Sequence, residues 1–246
     1  MKLTVLGYYG GYPFDHTATS GYLLQAGEFN LLLDCGSGVL LALEDVLNPL
    51  KLDAVLLSHY HADHVADVGV LQYDWQLHSE RYHTDLLPIY GHSLEQTAFA
   101  ALDWPGATEK HAFQPDQKNE IGPFELTFLR TEHPVPAFAV RIKERDTGKV
   151  LVYTADSKDF PALGDFARDA DLLIADTNFF ADHTGTMWHM TTTQVGKLAL
   201  NAQVHNLLIS HLPQSIDRDR LQRETMAASH NQIPVHLPET GLVINI

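Results

Sequence analysis

The segment Asp53–Ser58, DAVLLS, is short, continuously apolar and β-compatible, as a strand buried on both faces should be. Such a strand needs cover above and below, which points the chain towards a layered architecture. The flanking pattern agrees. Strand-like runs at Leu3–Gly7, Gly21–Ala26 and Asn30–Asp34 precede it, and Val39–Leu47 between them repeats Leu40, Leu43 and Leu47 at helical spacing. A helix is expected from near Ala62 through Leu71 and beyond, a strand at Pro88–Gly91 and a helix at Leu94–Leu102. Phe124–Thr131 and Phe138–Glu144 alternate like antiparallel strands, and RDTGK at 145–149 is a turn leading into a strand at Val150–Thr154. Strands follow at Leu172–Ala175 and Leu207–Ser210, helices at Thr191–Asn201 and Asp217–Ala228, and short strands from Val235 to Ile246. This interleaving predicts an α/β protein with two mixed sheets packed together and helices outside.

The strand at Asp53–Ser58 runs into His59-Tyr60-His61-Ala62-Asp63-His64. A loop at that place can aim both His59 and His61 inward, and Asp63 suits the start of the following helix, at the positive end of its dipole. Imidazole and carboxylate donors suit zinc, manganese or iron. Thiolate sites need cysteines, and the chain has one, Cys35. A single histidine here would pass as a polar loop residue; four ligand-type residues within six positions do not. Ligand-type residues also end later strands: His133 after FELTFLRTE, Asp156 after VLVYTA and His211 after LLIS. Each alone reads as a strand-terminating polar residue. Together they sit where α/β proteins gather their sites, at the carboxyl ends of strands.

Composition narrows the function classes. Sixteen Lys and Arg against 31 Asp and Glu leave a formal charge of −15, which argues against general affinity for nucleic-acid backbones. It does not exclude an anionic substrate, since bound cations can dominate the local charge. The lone cysteine excludes an internal disulfide framework and fits a reducing compartment. MKLTVLGYYGG is too short in apolar residues for a secretory leader, and no apolar run approaches the roughly 20 residues that span a bilayer. A cytoplasmic protein with no membrane partner is the expectation.

The H-x-H-x-D-H motif, followed by isolated His, Asp and His after later strands, resembles the ligand series of the metallo-β-lactamase superfamily of metal-dependent hydrolases. LLLDCGSG at 31–38 matches that family's aspartate-containing loop, and the resemblance covers nearly the whole chain as one domain, 1–246. It implies an αββα sandwich and two divalent metal ions, zinc first, with manganese or iron as substitutes. His59, His61 and His133 would hold one ion. Asp63, His64 and His211 would hold the other, with Asp156 bridging. Each histidine would give its second ring nitrogen to a further acceptor, and Asp34 is the best candidate for one such partner.

A second pair discriminates among branches. Asp176 in DLLIADTNFF and His189 in HMTTTQVGKLAL resemble the ribonuclease Z-like branch, which includes small phosphodiesterases. There His189 would contact the phosphate and assist the leaving group, oriented by Asp176. The plainer alternative is that His189 and Thr191–Thr193 cap a helix. LGYYGGYP is similar to the branch's glycine-and-proline loop without its Gly-Thr start. The projecting arm by which ribonuclease Z grips tRNA is missing: in the short form it lies between the third and fourth metal-binding segments, and His133 and Asp156 are joined by little more than a hairpin. tRNA is therefore disfavoured as a partner.

The resulting expectation is a dinuclear-metal phosphodiesterase for a small or nucleotide-type phosphodiester. A metal-bridging hydroxide would attack, with the ions about 3.5–4 Å apart. Asp63, His189 and Asp176 would be the catalytic side chains. Four alternatives stand beside it: a lactone or thioester hydrolase, in which His189 is dispensable; a ribonuclease of ribonuclease Z type; a di-iron redox protein, against which His61 speaks; and a metal-binding module without turnover. The resemblance also implies a homodimer. His16, His78, His83, His92, His111, His183, His205, His230 and His236 show no strand-end pattern and read as surface or core residues. Tyr73, Trp75 and Trp188 are aromatics that could wall a cleft, although core or interface packing is their commoner use, and Cys35 suits a small buried position beside the site.

Overall fold

Leucine- and valine-rich runs pair into two mixed sheets, one in each of two units of the chain. The structure, a computed structural model, describes residues 1–78, 80–185 and 187–246. The first unit comprises Met1–Gln114, Asn119–Pro123 and Glu239–Asn245; the second comprises Pro115–Lys118, Phe124–Pro238 and Ile246.

In the first unit the elements are β1 (Lys2–Tyr9), β2 (Ala18–Thr19), β3 (Gly21–Ala26), β4 (Phe29–Leu33), α1 (Val39–Glu44), β5 (Ala54–Leu56), α2 (Ala62–Val65), α3 (Val68–Leu77), β6 (Leu87–Gly91), α4 (Gln96–Ala100), β7 (Thr108–Ala112) and β8 (Asn119–Ile121). In the second they are β9 (Phe124–Arg130), β10 (Phe138–Glu144), β11 (Val150–Tyr153), α5 (Pro161–Ala167), β12 (Leu172–Asp176), α6 (Thr192–Asn201), β13 (Leu207–Ser210), α7 (Arg218–Ala228) and β14 (Val235–His236). The last strand, β15 (Val243–Asn245), returns to the first unit.

The first sheet has the order β15-β1-β3-β4-β5-β6-β7, with β2 alongside β1. The β15–β1, β1–β3 and β3–β4 pairs are antiparallel, β2 lies parallel to β1, and β4 through β7 run parallel. Leu31, Leu32, Val55 and Leu56 on the central strands are buried on both faces, which is why DAVLLS lacks polar alternation. Leu23, Leu32, Val55 and Leu57 pack with Val39, Leu43, Leu71 and Trp75 from the helical layer. Each such leucine contributes about 1.5–3 kcal/mol through burial.

In the second unit the order is β14-β13-β12-β11-β10-β9. β9, β10 and β11 alternate antiparallel, whereas β11 to β14 are parallel. β9 consequently points the same way as β11, β12 and β13, so the carboxyl ends of all four lie at one edge. α5, α6 and α7 pack in sequence, α6 against both of the others. Gly196 permits the closest approach, because a side chain there would meet the Thr225 carbonyl and Ala228 on α7. The chain between His133 and Asp156 is the β10–β11 hairpin.

Several expectations need correction. The single helix expected from Ala62 is two helices, separated at Ala66–Asp67. Asp67 turns its carboxylate to the Leu40 amide at the start of α1 (3.0 Å), a long-range bond invisible in local pattern. β2, β7, β8 and α5 had no expected counterpart: the strands are short or polar, and α5 begins at a proline that reads equally as a breaker. Trp75, by contrast, takes the packing role open to it and is fully buried in the core, while Tyr73 stays exposed against Trp104.

Candidate active site

The first unit gathers one set of candidate residues. β5 ends at Leu56, and the following loop turns three imidazoles together. The His59 ring lies 4.9 Å from His61 and 4.1 Å from His64. Asp63 Oδ2 stands 3.6 Å from His64 Nε2 and accepts the Gly11 amide at 2.6 Å. The LGYYGGYP loop is therefore tied to the motif by its backbone. Asp34, after the neighbouring parallel strand β4, accepts His64 Nδ1 at 2.7 Å. Asp34, His59 and His64 are fully buried. Asp34 also adopts a left-handed backbone at φ 56°, which costs about 1–3 kcal/mol and is tolerated better by aspartate than by most residues.

The second unit gathers the rest. His133, Asp156, Asp176 and His211 come from the ends of β9, β11, β12 and β13. Asp156 Oδ2 lies 3.3 Å from His211 Nε2 and 3.8 Å from His133 Nε2. Ligand atoms of Asp156, Asp176, His189 and His211 all fall within 4.8 Å of one another. Two positive-φ residues turn the chain sharply here, Ala155 before Asp156 (50°) and His211 itself (53°). The Thr131 hydroxyl donates to the Asp156 carbonyl and the Asn178 amide to the His211 carbonyl, each at 2.8 Å, holding those turns in place.

His189 is positioned by the buried Asp176, whose Oδ2 accepts its Nδ1 at 2.6 Å and the Ser157 amide at 3.1 Å. Its ring stacks on His211 at 4.7 Å. Burial works to lower the His189 pKa. The Asp176 carboxylate, by charge and by hydrogen bond, outweighs burial and leaves the imidazole above its usual value. The helix cap is a separate device: Thr191 closes a capping box with Gln194 at the start of α6, and His189 takes no part in it. Trp188 places its carbonyl 3.5 Å from His133 Nδ1, with its half-exposed ring 5.9 Å from Lys158 Nζ.

Both donor sets are imidazole and carboxylate, which suits a borderline or hard divalent cation. Cys35 stands beside Asp34 fully buried, its thiol pushed well up by burial and by Asp67 and Asp34, so it offers no thiolate. A cavity of about 620 Å³ lined by Glu44, Asp74, His78 and Tyr82 contains none of the candidate residues. Ser58 and the Gly11 amide carry faint signals in the sequence: Ser58 is simply the residue before His59, and Gly11, within the LGYYGGYP loop, acts through its main chain.

The family model of the beta-lactamase superfamily domain matches residues 29–212, which include every one of these donors. The chain belongs to the metallo-β-lactamase superfamily. Within the superfamily it is 44% identical over 247 residues to the probable metallo-hydrolase YhfI of Bacillus subtilis (strain 168), covering 99% of each protein. The crystal structure of YhfI superposes with a TM-score of 0.93, over 99% of this chain and 98% of that one. Ribonuclease Z of Methanopyrus kandleri is 26% identical over 261 residues, 91% of each chain. The short form of human tRNase Z superposes with a TM-score of 0.79 at 19% identity, over 100% of this chain and 99% of that one, a likeness of fold. Two mixed sheets flanked by helices are thus the superfamily fold, and the chain is a metal-dependent hydrolase that uses divalent metal. Among the described residues no helix is long and apolar enough to cross a membrane.

Proposed function

We propose that the protein is a phosphodiesterase with a dinuclear metal centre, acting on a small or nucleotide-type phosphodiester as one functional domain, 1–246. The observation that carries this reading is the His189–Asp176 pair. A carbonyl hydrolase needs no such imidazole, whereas phosphodiester cleavage expels a strongly basic alkoxide that needs a proton or a neutralising charge. His189 has the geometry for it: Asp176 anchors Nδ1 and directs Nε2 away from itself.

The ligand allocation follows the resemblance. His59, His61 and His133 would serve one ion and Asp63, His64 and His211 the other, with Asp156 shared; zinc is the expected metal. Bound there, the pair supplies activated water at neutral pH and draws charge from the phosphoryl oxygens. The chain's own residues do the rest. Asp34 accepts from His64 Nδ1, which leaves the His64 lone pair at Nε2. Asp176 keeps His189 oriented and favours its cationic form. His189 then contacts the phosphate and delivers a proton to the departing oxygen.

By the resemblance a tRNA-gripping arm would interrupt the chain between His133 and Asp156, and the β10–β11 hairpin found there supports small substrates over tRNA. The acidic balance of the chain points the same way. A reducing, cytoplasmic setting fits the single buried thiol. A turnover screen of zinc- and manganese-loaded protein tests the reading. Cyclic nucleotides, bis-aryl phosphodiesters and short RNA are compared with lactones and thioesters. Turnover confined to lactones or thioesters would overturn it in favour of carbonyl hydrolysis.

A further inference from the structure

Ser58 is a buried hydroxyl placed between Asp34, after β4, and His59 of the histidine loop. Its amide donates to Asp34 Oδ1 at 2.7 Å and its Oγ lies 2.8 Å from Asp34 Oδ2. The same Oγ lies 3.0 Å from His59 Nδ1. Asp34 Oδ2 meanwhile meets His64 Nδ1 at 2.7 Å. All four residues are buried, Ser58 at 3% exposure and the other three at 0%, so water does not substitute for a missing partner.

Hydrogen counting settles the direction of these bonds. A carboxylate oxygen accepts, and a serine hydroxyl carries one hydrogen. Ser58 Oγ therefore donates to Asp34 and can only accept from His59. His59 Nδ1 must then carry the imidazole proton, which puts the lone pair on Nε2. The opposite orientation would set the hydroxyl oxygen and Asp34 Oδ2 lone pair against lone pair at 2.8 Å, inside a dry site. One carboxylate thus sets two imidazoles, His64 directly and His59 through Ser58.

We propose that Ser58 is a positioning residue for metal uptake: it relays Asp34 to His59 and holds that imidazole in the Nδ1-protonated form whose Nε2 is ready to bind. This rests on the reading of the His59–His64 loop as metal-binding. The relay explains why the loop leaves the sheet with a small hydroxyl residue where another leucine would bury more apolar surface. It also ties the ligand geometry to β4 and β5, which pair in parallel, rather than to the loop alone. Partners that orient ligating histidines in this way are worth roughly 10- to 100-fold in metal affinity.

Two measurements test it. In the metal-free wild-type protein carrying isotope-labelled histidine, the ring-nitrogen shifts of His59 should report the Nδ1-protonated tautomer. A neutral Nε2-protonated ring would overturn the proposal without any variant. Zinc affinity, read by competition with a chromophoric chelator, should fall roughly 10- to 100-fold in Ser58→Ala and stay within about threefold of wild type in Ser58→Thr, which keeps the hydroxyl. Thermal midpoints of the metal-free forms show that both variants fold. If wild type takes up zinc and Ser58→Ala binds it equally well, the relay is wrong and the metal site stands. If wild type takes up no zinc, the metal reading itself falls and the relay with it.

Discussion

His189 Nδ1 and Asp176 Oδ2 are 2.6 Å apart, with the carboxylate fully enclosed and the imidazole stacked on His211. A short bond between a buried acid and a partly exposed imidazole orients the ring and leaves its far nitrogen for chemistry. Asp176 also receives its own main-chain support from Thr154 Oγ1, which accepts the Asp176 amide at 3.0 Å. Asp176 is thus built into the end of β12, and His189 reaches it from the segment that precedes α6.

If His189 protonates the leaving group, His189→Ala keeps its metal and loses roughly 10²–10⁴-fold in kcat on alkyl phosphodiesters. The loss should be much smaller on bis-nitrophenyl phosphate, whose leaving group departs without a proton. Steady-state kinetics on the two substrates, alongside metal content, check this. Equal losses on both would assign His189 to phosphate binding instead.

Asp156 is the carboxylate that stands between His211 and His133, so its removal strikes the metal site as a whole. Asp156→Ala is expected to lose bound metal and turnover together. Exhaustive chelation of wild type should abolish turnover in the same way, and added zinc or manganese should restore it only in wild type. Metal analysis before and after dialysis gives the comparison.

Gly36 lies against the Asp63 carbonyl and Thr19 Oγ1, with no room for a Cβ. Gly36→Ala must push the loop after β4 away from α2, a crowding that costs about 1–3 kcal/mol. Urea denaturation of the metal-free protein measures the stability loss. Because Asp63 moves with the helix, zinc affinity should weaken as well.

Glu224 on α7 clamps the segment that leads to His189. Its carboxylate accepts the Ala181 amide at 2.9 Å and the Thr192 hydroxyl at 2.7 Å, and pairs with Arg220 at 2.7 Å. Burial works to raise its pKa, but these partners outweigh burial and hold it below the usual carboxylate range. A depressed folded-state pKa contributes stability that is present above the unfolded value of about 4.3 and lost as pH falls through the folded one. The stability gap between wild type and Glu224→Gln should therefore be level near neutrality and shrink below about pH 4. Urea midpoints across that range would show it, and a gap that widened in acid would refute the clamp.

Much of the architecture was legible without coordinates, because apolar period and length encode whether a segment is buried on one face or two. DAVLLS announced a central strand, and FELTFLR and FAVRIKE announced an antiparallel pair that forms with Phe138 opposite Arg130. The motif residues were legible too, since six positions holding four ligand-type side chains have few other uses. Short polar strands such as β7, TEKHA, were not, because their formation depends on a neighbour, β6, that supplies the ladder. The chain alone likewise left Trp75 open between core and cleft.

By itself, then, the amino-acid order determined the layered class, the donor chemistry and the strand ends that carry it. Tertiary structure decided what each donor leans on. The Asp34 bonds to Ser58 and His64, the Asp176 bond to His189 and the Gly11 amide on Asp63 join residues 13 to 52 positions apart. A hydrogen bond depends on distance and angle in space, and no local pattern encodes contacts made only once parallel strands have brought their ends together.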